Sequence, residues 1–174
     1  MQEQFNNIKQ EYENFYRSLV LQGKFAAKDT GVGFWGPAVS DEILEAFKRL
    51  KIKGHFLDLG SGDGKVAMIA SLFCERVVGI EYDPLLVLKA QEVRKKFSLL
   101  NVSLKNQDYF EHDISHYDYV FVNPDKPFFR GLDAKLETEL RGRLIVYSNH
   151  FFPSTLRLND QFKVNDTTVS VYSR

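Results

Sequence analysis

The chain has 174 residues, 44% hydrophobic and 26% charged, which excludes a disordered chain and suits one folded domain with a sizeable core. Lys and Arg together number 23, as do Asp and Glu; this excludes a global positive field that would draw the protein onto nucleic acid or anionic lipid and leaves only local patches. One cysteine, Cys74, excludes an intramolecular disulfide and suits a reducing compartment. The first residues, MQEQFNNIKQEYENF, are polar and acidic, unlike a signal or transit peptide. No apolar run reaches the ~18 residues of a membrane span, so the expected location is cytoplasmic, without membrane association.

In chain order, residues 3 to 22 predict an amphipathic helix. Phe5, Ile8, Tyr12, Phe15 and Leu19 recur at three- and four-residue spacing, and Gly23 reads as its stop. A glycine-rich segment follows, with Gly31, Gly33, Gly36 and Pro37 around Phe34 and Trp35. Ser40 then reads as the N-cap of a second helix with acids in its first turn and bases in its last. From residue 54 the pattern alternates. Strands are expected at 55–59, 76–81, 102–105, 117–122 and 143–147, and helices at 65–73, from Pro84 onward, and at 133–140. In the helix after Pro84, Leu86, Ala90, Val93, Phe97 and Leu100 share a face. Such βαβ alternation predicts an α/β fold, a Rossmann-like, mostly parallel sheet with helices on both faces. Residues 156–164 and 168–172 alternate apolar and polar around Asn165-Asp166, which predicts a C-terminal antiparallel hairpin.

The chemistry concentrates at Phe-Leu-Asp58-Leu-Gly60-Ser61-Gly62-Asp63-Gly64, a strand that runs through a glycine turn into a helix. Glycines permit a tight turn and let a ligand lie against bare backbone. A dinucleotide fingerprint, G-x-G-x-x-G, would need its last glycine at position 65, which is Lys65, so the NAD pattern fails. The D-x-G-x-G-x-G that is present resembles the first motif of S-adenosylmethionine (SAM)-dependent methyltransferases. Glu81 ends the second strand, where a carboxylate accepts hydrogen bonds from ribose hydroxyls in Rossmann-like sites, with Tyr82 beside it. Asp108 follows the third strand; in that family an acid there meets the adenine amino group, and Gln107 or Tyr109 would flank the ring. Each site has a plainer reading: glycines at a strand-helix turn serve the turn alone in some proteins, and acids at strand ends are often solvated.

A closer resemblance covers residue 34 to the end. The segment Phe34-Trp35-Gly36-Pro37, the block at 57–64, Gly79-Ile80-Glu81, a helix carrying Leu132, Lys135, Leu136, Glu139 and Leu140, and a strand ending Val146-Tyr147-Ser148-Asn149-His150-Phe151 are similar to the small archaeal-type protein-lysine methyltransferases and their mitochondrial relatives that methylate a lysine of an ATP synthase subunit. The resemblance implies a class I methyltransferase spanning 1–174 as one domain, with 1–37 as N-terminal helix and cofactor/substrate lid. It implies SAM as cofactor, S-adenosylhomocysteine as product, and a protein substrate. The cofactor site would be built from Asp58, Gly60, Ser61, Gly62, Asp63, Gly64, Glu81, Tyr82, Asp108, Tyr109 and Asn123. The substrate channel would comprise Phe34, Trp35, Pro124, Phe128 and Phe151, with Asn123 and His150 as the catalytic pair.

One block departs from those relatives. Asn123-Pro124-Asp125-Lys126-Pro127-Phe128 partly resembles the Asn-Pro-Pro-Tyr/Phe motif of amino-methylating nucleic-acid enzymes, with Asp125-Lys126 displacing the second proline and the aromatic residue. A nucleic-acid acceptor, or a SAM-binding module without catalysis, therefore stands beside the protein-lysine expectation. Three aromatic pairs, Phe34-Trp35, Phe128-Phe129 and Phe151-Phe152, fall in loops expected at the carboxyl rim of the sheet, where open α/β sheets bind ligands; each pair is otherwise a core plug. The four histidines show no metal-ligand spacing with Cys74 or with one another, so no metal is expected. Arg94, Lys95 and Lys96 read as a solvated helix face.

Overall fold

Residues that alternate in pairs of faces, not single amphipathic strands, set this architecture. The computed structural model describes residues 1–174 and runs α1 (Gln2–Leu21), β1 (Lys28–Asp29), β2 (Phe34–Trp35), α2 (Ser40–Leu50), β3 (His55–Leu59), α3 (Lys65–Ala70), β4 (Arg76–Glu81), α4 (Pro84–Lys96), β5 (Val102–Asn106), β6 (Tyr119–Val122), α5 (Leu132–Glu139), β7 (Arg143–Tyr147), β8 (Arg157–Val164) and β9 (Thr167–Ser173), with single 3₁₀ turns at Tyr109–Glu111 and Phe128–Arg130. Seven strands form one sheet in the order β5-β4-β3-β6-β7-β9-β8, and β1 and β2 make a separate two-stranded hairpin. Strands β3 to β7 pair in parallel; β9 returns antiparallel to β7 and pairs with β8. The expected parallel sheet closed by a C-terminal hairpin is thus present.

Both faces of the sheet are buried. Phe56, Val77, Phe121 and Ile145 point into a core shared with α1, α2, α3 and α4. Their neighbours Leu57, Val78, Val120, Leu144 and Val146 point to the opposite face, against Leu132 and Leu136 of α5. Successive side chains of a strand face opposite ways, so burial on both sides requires the near-continuous apolar runs seen in β6 and β7. Phe47, Phe56 and Phe121 pack edge-on and stacked at centroid distances of 5.2–6.3 Å, anchoring α2 to the sheet.

Several local expectations shift. The N-cap of α2 is Val39, and Ser40 is its first helical residue, with no side-chain cap bond. Helix α3 ends at Ala70 rather than Phe73, because Leu72, Phe73 and Cys74 close as turns on the last carbonyls. Leu100 is 87% exposed and lies beyond α4, after Ser98 turns left-handed at φ 51°, so it does not share the buried stripe of Leu86, Ala90 and Val93. The β8–β9 turn is two residues long, with Asn165 at φ 50°; Asn tolerates the left-handed region that such tight hairpin loops demand.

Helix α1 is part of the core. Phe5, Ile8 and Tyr12 are buried in it, and Glu11 pairs with Lys89 and Lys96 of α4. No helix is long and apolar enough to cross a membrane.

Candidate active site

The chain enters the sheet centrally at β3, builds outward to β4 and β5, then crosses back to β6 and β7. The reversal makes a switch point between β3 and β6, where a crevice opens beyond the carboxyl ends of the strands. Leu59 and Val122 are register partners there, so the residues that follow them, Gly60 and Asn123, stand side by side at the crevice. A cavity of about 330 Å³ occupies this place, within the size range of small-molecule sites. Its floor is Leu59, Val122 and Leu132; its walls carry Gly60, Glu81, Tyr82, Tyr109, Phe110, Asn123 and Pro124. The β1–β2 hairpin roofs it through Val32, Gly33, Phe34 and Trp35.

The glycine loop is held open from below. Gly60, Gly62 and Gly64 adopt φ of 70°, 56° and 82°, conformations that cost an L-residue roughly 1–2 kcal/mol. Nothing lies within 4 Å of the position a Gly60 side chain would take, so its backbone faces free space. The Glu81 carboxylate accepts from the Gly62 amide at 2.9 Å and the Asp83 amide at 2.8 Å. Glu81 therefore ties the β3 loop to the β4 loop, and each oxygen retains a lone pair for a further donor.

Asp58 is 2% exposed, and its Oδ2 has no hydrogen-bond partner. Burial first, and the nearby Glu81 charge second, push its carboxyl up to about 8. Asp63 faces away from the cavity. Its carboxylate accepts from the Tyr16 hydroxyl at 2.6 Å and from the Lys65 amide at 3.2 Å, while its carbonyl accepts from the Tyr12 hydroxyl at 2.9 Å. Burial raises the Asp63 carboxyl, against the lowering effect of the Lys65 ammonium and the Tyr16 bond. Burial raises the Tyr16 phenol strongly, and the Asp63 charge adds to it. Helix α1 thus grips the glycine loop from behind.

The roof is fastened to all three loops. Lys28 pairs with Asp83 at 2.5 Å, Trp35 lies against Gly62, the Phe34 amide donates to Asp125 Oδ2 at 2.5 Å, and Lys126 Nζ donates to the Val32 carbonyl at 2.7 Å. The Asn123 side-chain amide donates to the Gly36 carbonyl at 3.3 Å. Tyr147 accepts from the Val39 amide at 3.4 Å and donates to Glu42, which fixes the segment between hairpin and α2.

Of the expected site residues, Gly60, Glu81, Tyr82, Tyr109, Asn123, Pro124, Phe34 and Trp35 are brought together around the cavity. Ser61, Gly62, Asp63 and Gly64 shape the loop without lining the cavity, and Asp58 lies beneath it. Asp108 is turned inward on its own chain, capping the 3₁₀ turn through the Phe110 amide at 2.9 Å. Three residues expected in the substrate channel or catalytic pair are elsewhere. Phe128 is 2% exposed and plugs the core beneath α5, because its 3₁₀ turn points it inward and leaves Phe129 outward. His150 is exposed and Phe151 half-buried; Ser148 Oγ accepts both of their amides at 3.1 Å, and neither residue lines the cavity. Cavity residues with no motif to announce them are Thr30, Val32, Phe110 and Arg130, while Gly33, Asp125, Lys126, Pro127 and Leu132 lie in segments that the sequence singled out without assigning them to the site.

A nucleoside-sulfonium cofactor fits this arrangement. The open backbone at Gly60 and the fixed Glu81 carboxylate supply hydrogen-bonding groups, and Tyr82, Tyr109 and Phe110 supply flat apolar surface. The chain is similar in fold to an RNA methyltransferase from Salinibacter ruber in complex with S-adenosylhomocysteine, at TM-score 0.67 and 24% identity over 79% of this chain and 92% of that one. It is also similar to a ribosomal protein L11 methylase from Lactobacillus delbrueckii subsp. bulgaricus, at TM-score 0.63 and 15% identity over 84% and 83%. A third similar structure is a precorrin-6y C5,15-methyltransferase from Geobacter metallireducens, at TM-score 0.60 and 13% identity over 79% and 90%. A search of curated proteins returns no significant match. The family model described as the ANTKMT methyltransferase domain matches residues 58–157, which run from Asp58 through the whole cavity side of the sheet. The chain therefore belongs to the ANTKMT methyltransferase domain family and is a SAM-dependent methyltransferase.

Proposed function

We propose that the protein transfers the methyl group to an amine, a lysine side chain of a protein substrate. The observation that carries this reading is Asn123. Its Nδ2 is committed to the Gly36 carbonyl, which leaves Oδ1 at the cavity to accept a hydrogen bond from an incoming N–H. Bound SAM supplies an electrophilic methyl carbon on a positively charged sulfur. The protein has to orient a nitrogen lone pair toward that carbon and exclude water. Asn123 would orient the nitrogen, Pro124 and Trp35 would narrow its approach, and the hairpin roof would shut out solvent. A free lysine titrates at about 10.4, and passage into an apolar channel lowers that value, so the reading needs no dedicated base. Membership of the ANTKMT family supports the lysine acceptor, and the balanced net charge supports it over a polyanion. A cytoplasmic site of action is part of this reading, as is a lid role for residues 1–37 in which the hairpin is the cover and α1 its anchor in the core.

Asn123-Pro124 also favours a second reading, an exocyclic amine of a nucleic acid. Labelled SAM, the purified protein and a cell extract separate the two, with parallel protease and nuclease treatment. The lysine reading expects label that resists nuclease and is lost to protease. Label lost only with nuclease would sink it, and no transfer despite measured SAM binding would leave a non-catalytic binding module.

A further inference from the structure

We propose that Asp125 selects a cationic amine as the acceptor, holding the acceptor nitrogen at the cavity by its charge while it hydrogen-bonds the hairpin roof. This rests on the amine-acceptor reading above.

Four charged side chains line the cavity: Glu81, Asp125, Lys126 and Arg130. Both oxygens of Glu81 are engaged by backbone amides, and the Lys126 ammonium is engaged by the Val32 carbonyl. Asp125 differs. Its Oδ2 takes the Phe34 amide, its Oδ1 has no partner within the protein, and it forms no ion pair with Lys126 or Arg130. The carboxylate is nonetheless fixed in place. It lies flat against the hairpin at Gly33, where a side-chain carbon would come within 2.8 Å of Oδ2, so the glycine is what lets it seat there. Its field crosses the cavity: the Tyr109 phenol is pushed up to about 12 by burial first and by Asp125 second. Lys126 and Arg130 balance Glu81 and Asp125 over the cavity as a whole, so the preference is local: the exposed Asp125 carboxylate, in no ion pair, favours an ammonium over a phosphate at the point beside Asn123.

The chemistry uses that charge twice. The docked ammonium first loses a proton to water, which exposes its lone pair; as the N–CH₃ bond then forms and the S–CH₃ bond breaks, the sulfur becomes a neutral thioether and positive charge returns to the acceptor nitrogen. A preorganised carboxylate stabilises the arriving charge. It also stabilises the ammonium before reaction, so it offsets part of the lowering that the apolar channel imposes on the pKa of the docked amine.

Replacing the charge while keeping the hydrogen bond isolates this role. Asp125→Asn retains a carbonyl oxygen for the Phe34 amide. Incorporation of labelled methyl into the nuclease-treated protein fraction of a cell extract is measured against extract concentration and pH. The variant is expected to half-saturate at about tenfold higher extract concentration, the typical worth of a charge-assisted bond. The rising limb of its rate against pH should move to lower pH, and its affinity for SAM should fall by less than its half-saturation by the acceptor worsens. Native half-saturation should worsen with added salt more steeply than that of the variant. Identical half-saturation and pH profiles would overturn the role of Asp125 and leave the lysine reading standing. A loss of SAM affinity as large as the loss at the acceptor would also overturn it, making Asp125 a cofactor group or a strut of the roof. Label confined to nucleic acid would overturn both readings.

Discussion

Gly62 allows a test of how the roof and the glycine loop depend on each other. A methyl group at this position faces two separate penalties. Its backbone sits at φ 56°, which costs a non-glycine residue roughly 1–2 kcal/mol. Its Cβ would also stand 2.5 Å from Trp35 Cδ1 and 2.7 Å from Nε1, so the indole has to leave. Trp35 is half-buried in a hairpin whose strands are two residues long, and the hairpin can yield as a unit. An aromatic side chain of this size buries about 150–250 Å² in full, so displacing a half-covered indole forfeits about 2–3 kcal/mol at ~25 cal/mol per Å². Gly62→Ala is therefore expected to destabilise the native protein by about 3–5 kcal/mol, and in a Trp35→Ala background by only the backbone part, ~1–2 kcal/mol. Urea unfolding of the four proteins in the double-mutant cycle measures both values. Equal costs of Gly62→Ala with and without Trp35 would refute the contact between roof and loop. SAM titration of the same set should show Gly62→Ala weakening binding even where Trp35 is absent, because Glu81 holds the loop through the Gly62 amide.

Glu81→Gln turns one of the two carboxylate acceptors into a donor facing a backbone amide; SAM affinity by calorimetry should fall by about 10- to 100-fold, and unchanged affinity would remove Glu81 from the site. Phe128→Ala should cost about 3–5 kcal/mol in urea unfolding, whereas Phe129→Ala, at 76% exposure, should stay within about 0.5 kcal/mol; similar values for both would contradict the inward turn of Phe128. Asp58, with its carboxyl raised from 3.8 to about 8, favours folding in its protonated form. Its contribution is fully present below its ordinary value near 4 and is lost as pH rises through about 8. Asp58→Asn should thus gain stability relative to native protein by up to about 1.4 kcal/mol for each pH unit across that window, and parallel stability-pH curves would rule this out. Tyr16→Phe removes a hydrogen bond to a buried carboxylate and should cost about 1.5–3 kcal/mol; a negligible change in melting would show that α1 does not anchor the glycine loop.

The strands of the main sheet, its two buried faces and the C-terminal hairpin were legible in the sequence because their signals are local, whereas the two-residue strands β1 and β2 read only as a glycine-rich segment. Apolar runs such as Leu144-Ile145-Val146 have only one economical use, as strands covered on both faces, and glycines at 60, 62 and 64 meet a steric demand made by their own backbone. Gly60, Glu81 and Asn123 could be placed for the same reason: each directly follows or ends a parallel strand, and all parallel strands end at the same rim. Helix boundaries were less legible at Ser40 and Leu100, where a cap and a stripe depend on how neighbouring turns close.

Side-chain direction beyond the strand ends was not legible. Phe34-Trp35, Phe128-Phe129 and Phe151-Phe152 are alike as sequence, yet one pair roofs the cavity, one splits between core and solvent, and one sits in a turn on Ser148 outside the cavity lining. Asp63, inside the glycine motif, points away from the cavity because Tyr16, 47 residues earlier, takes its carboxylate. Asp125 lines the cavity because Gly33, 92 positions earlier in the chain, leaves it room. Sequence by itself determined the elements, the glycine turn and the methyl-donor class, since these rest on contacts within a few residues. Only the tertiary structure decided which groups face the acceptor, since that follows from long-range packing in which a residue's partner has no fixed spacing from it.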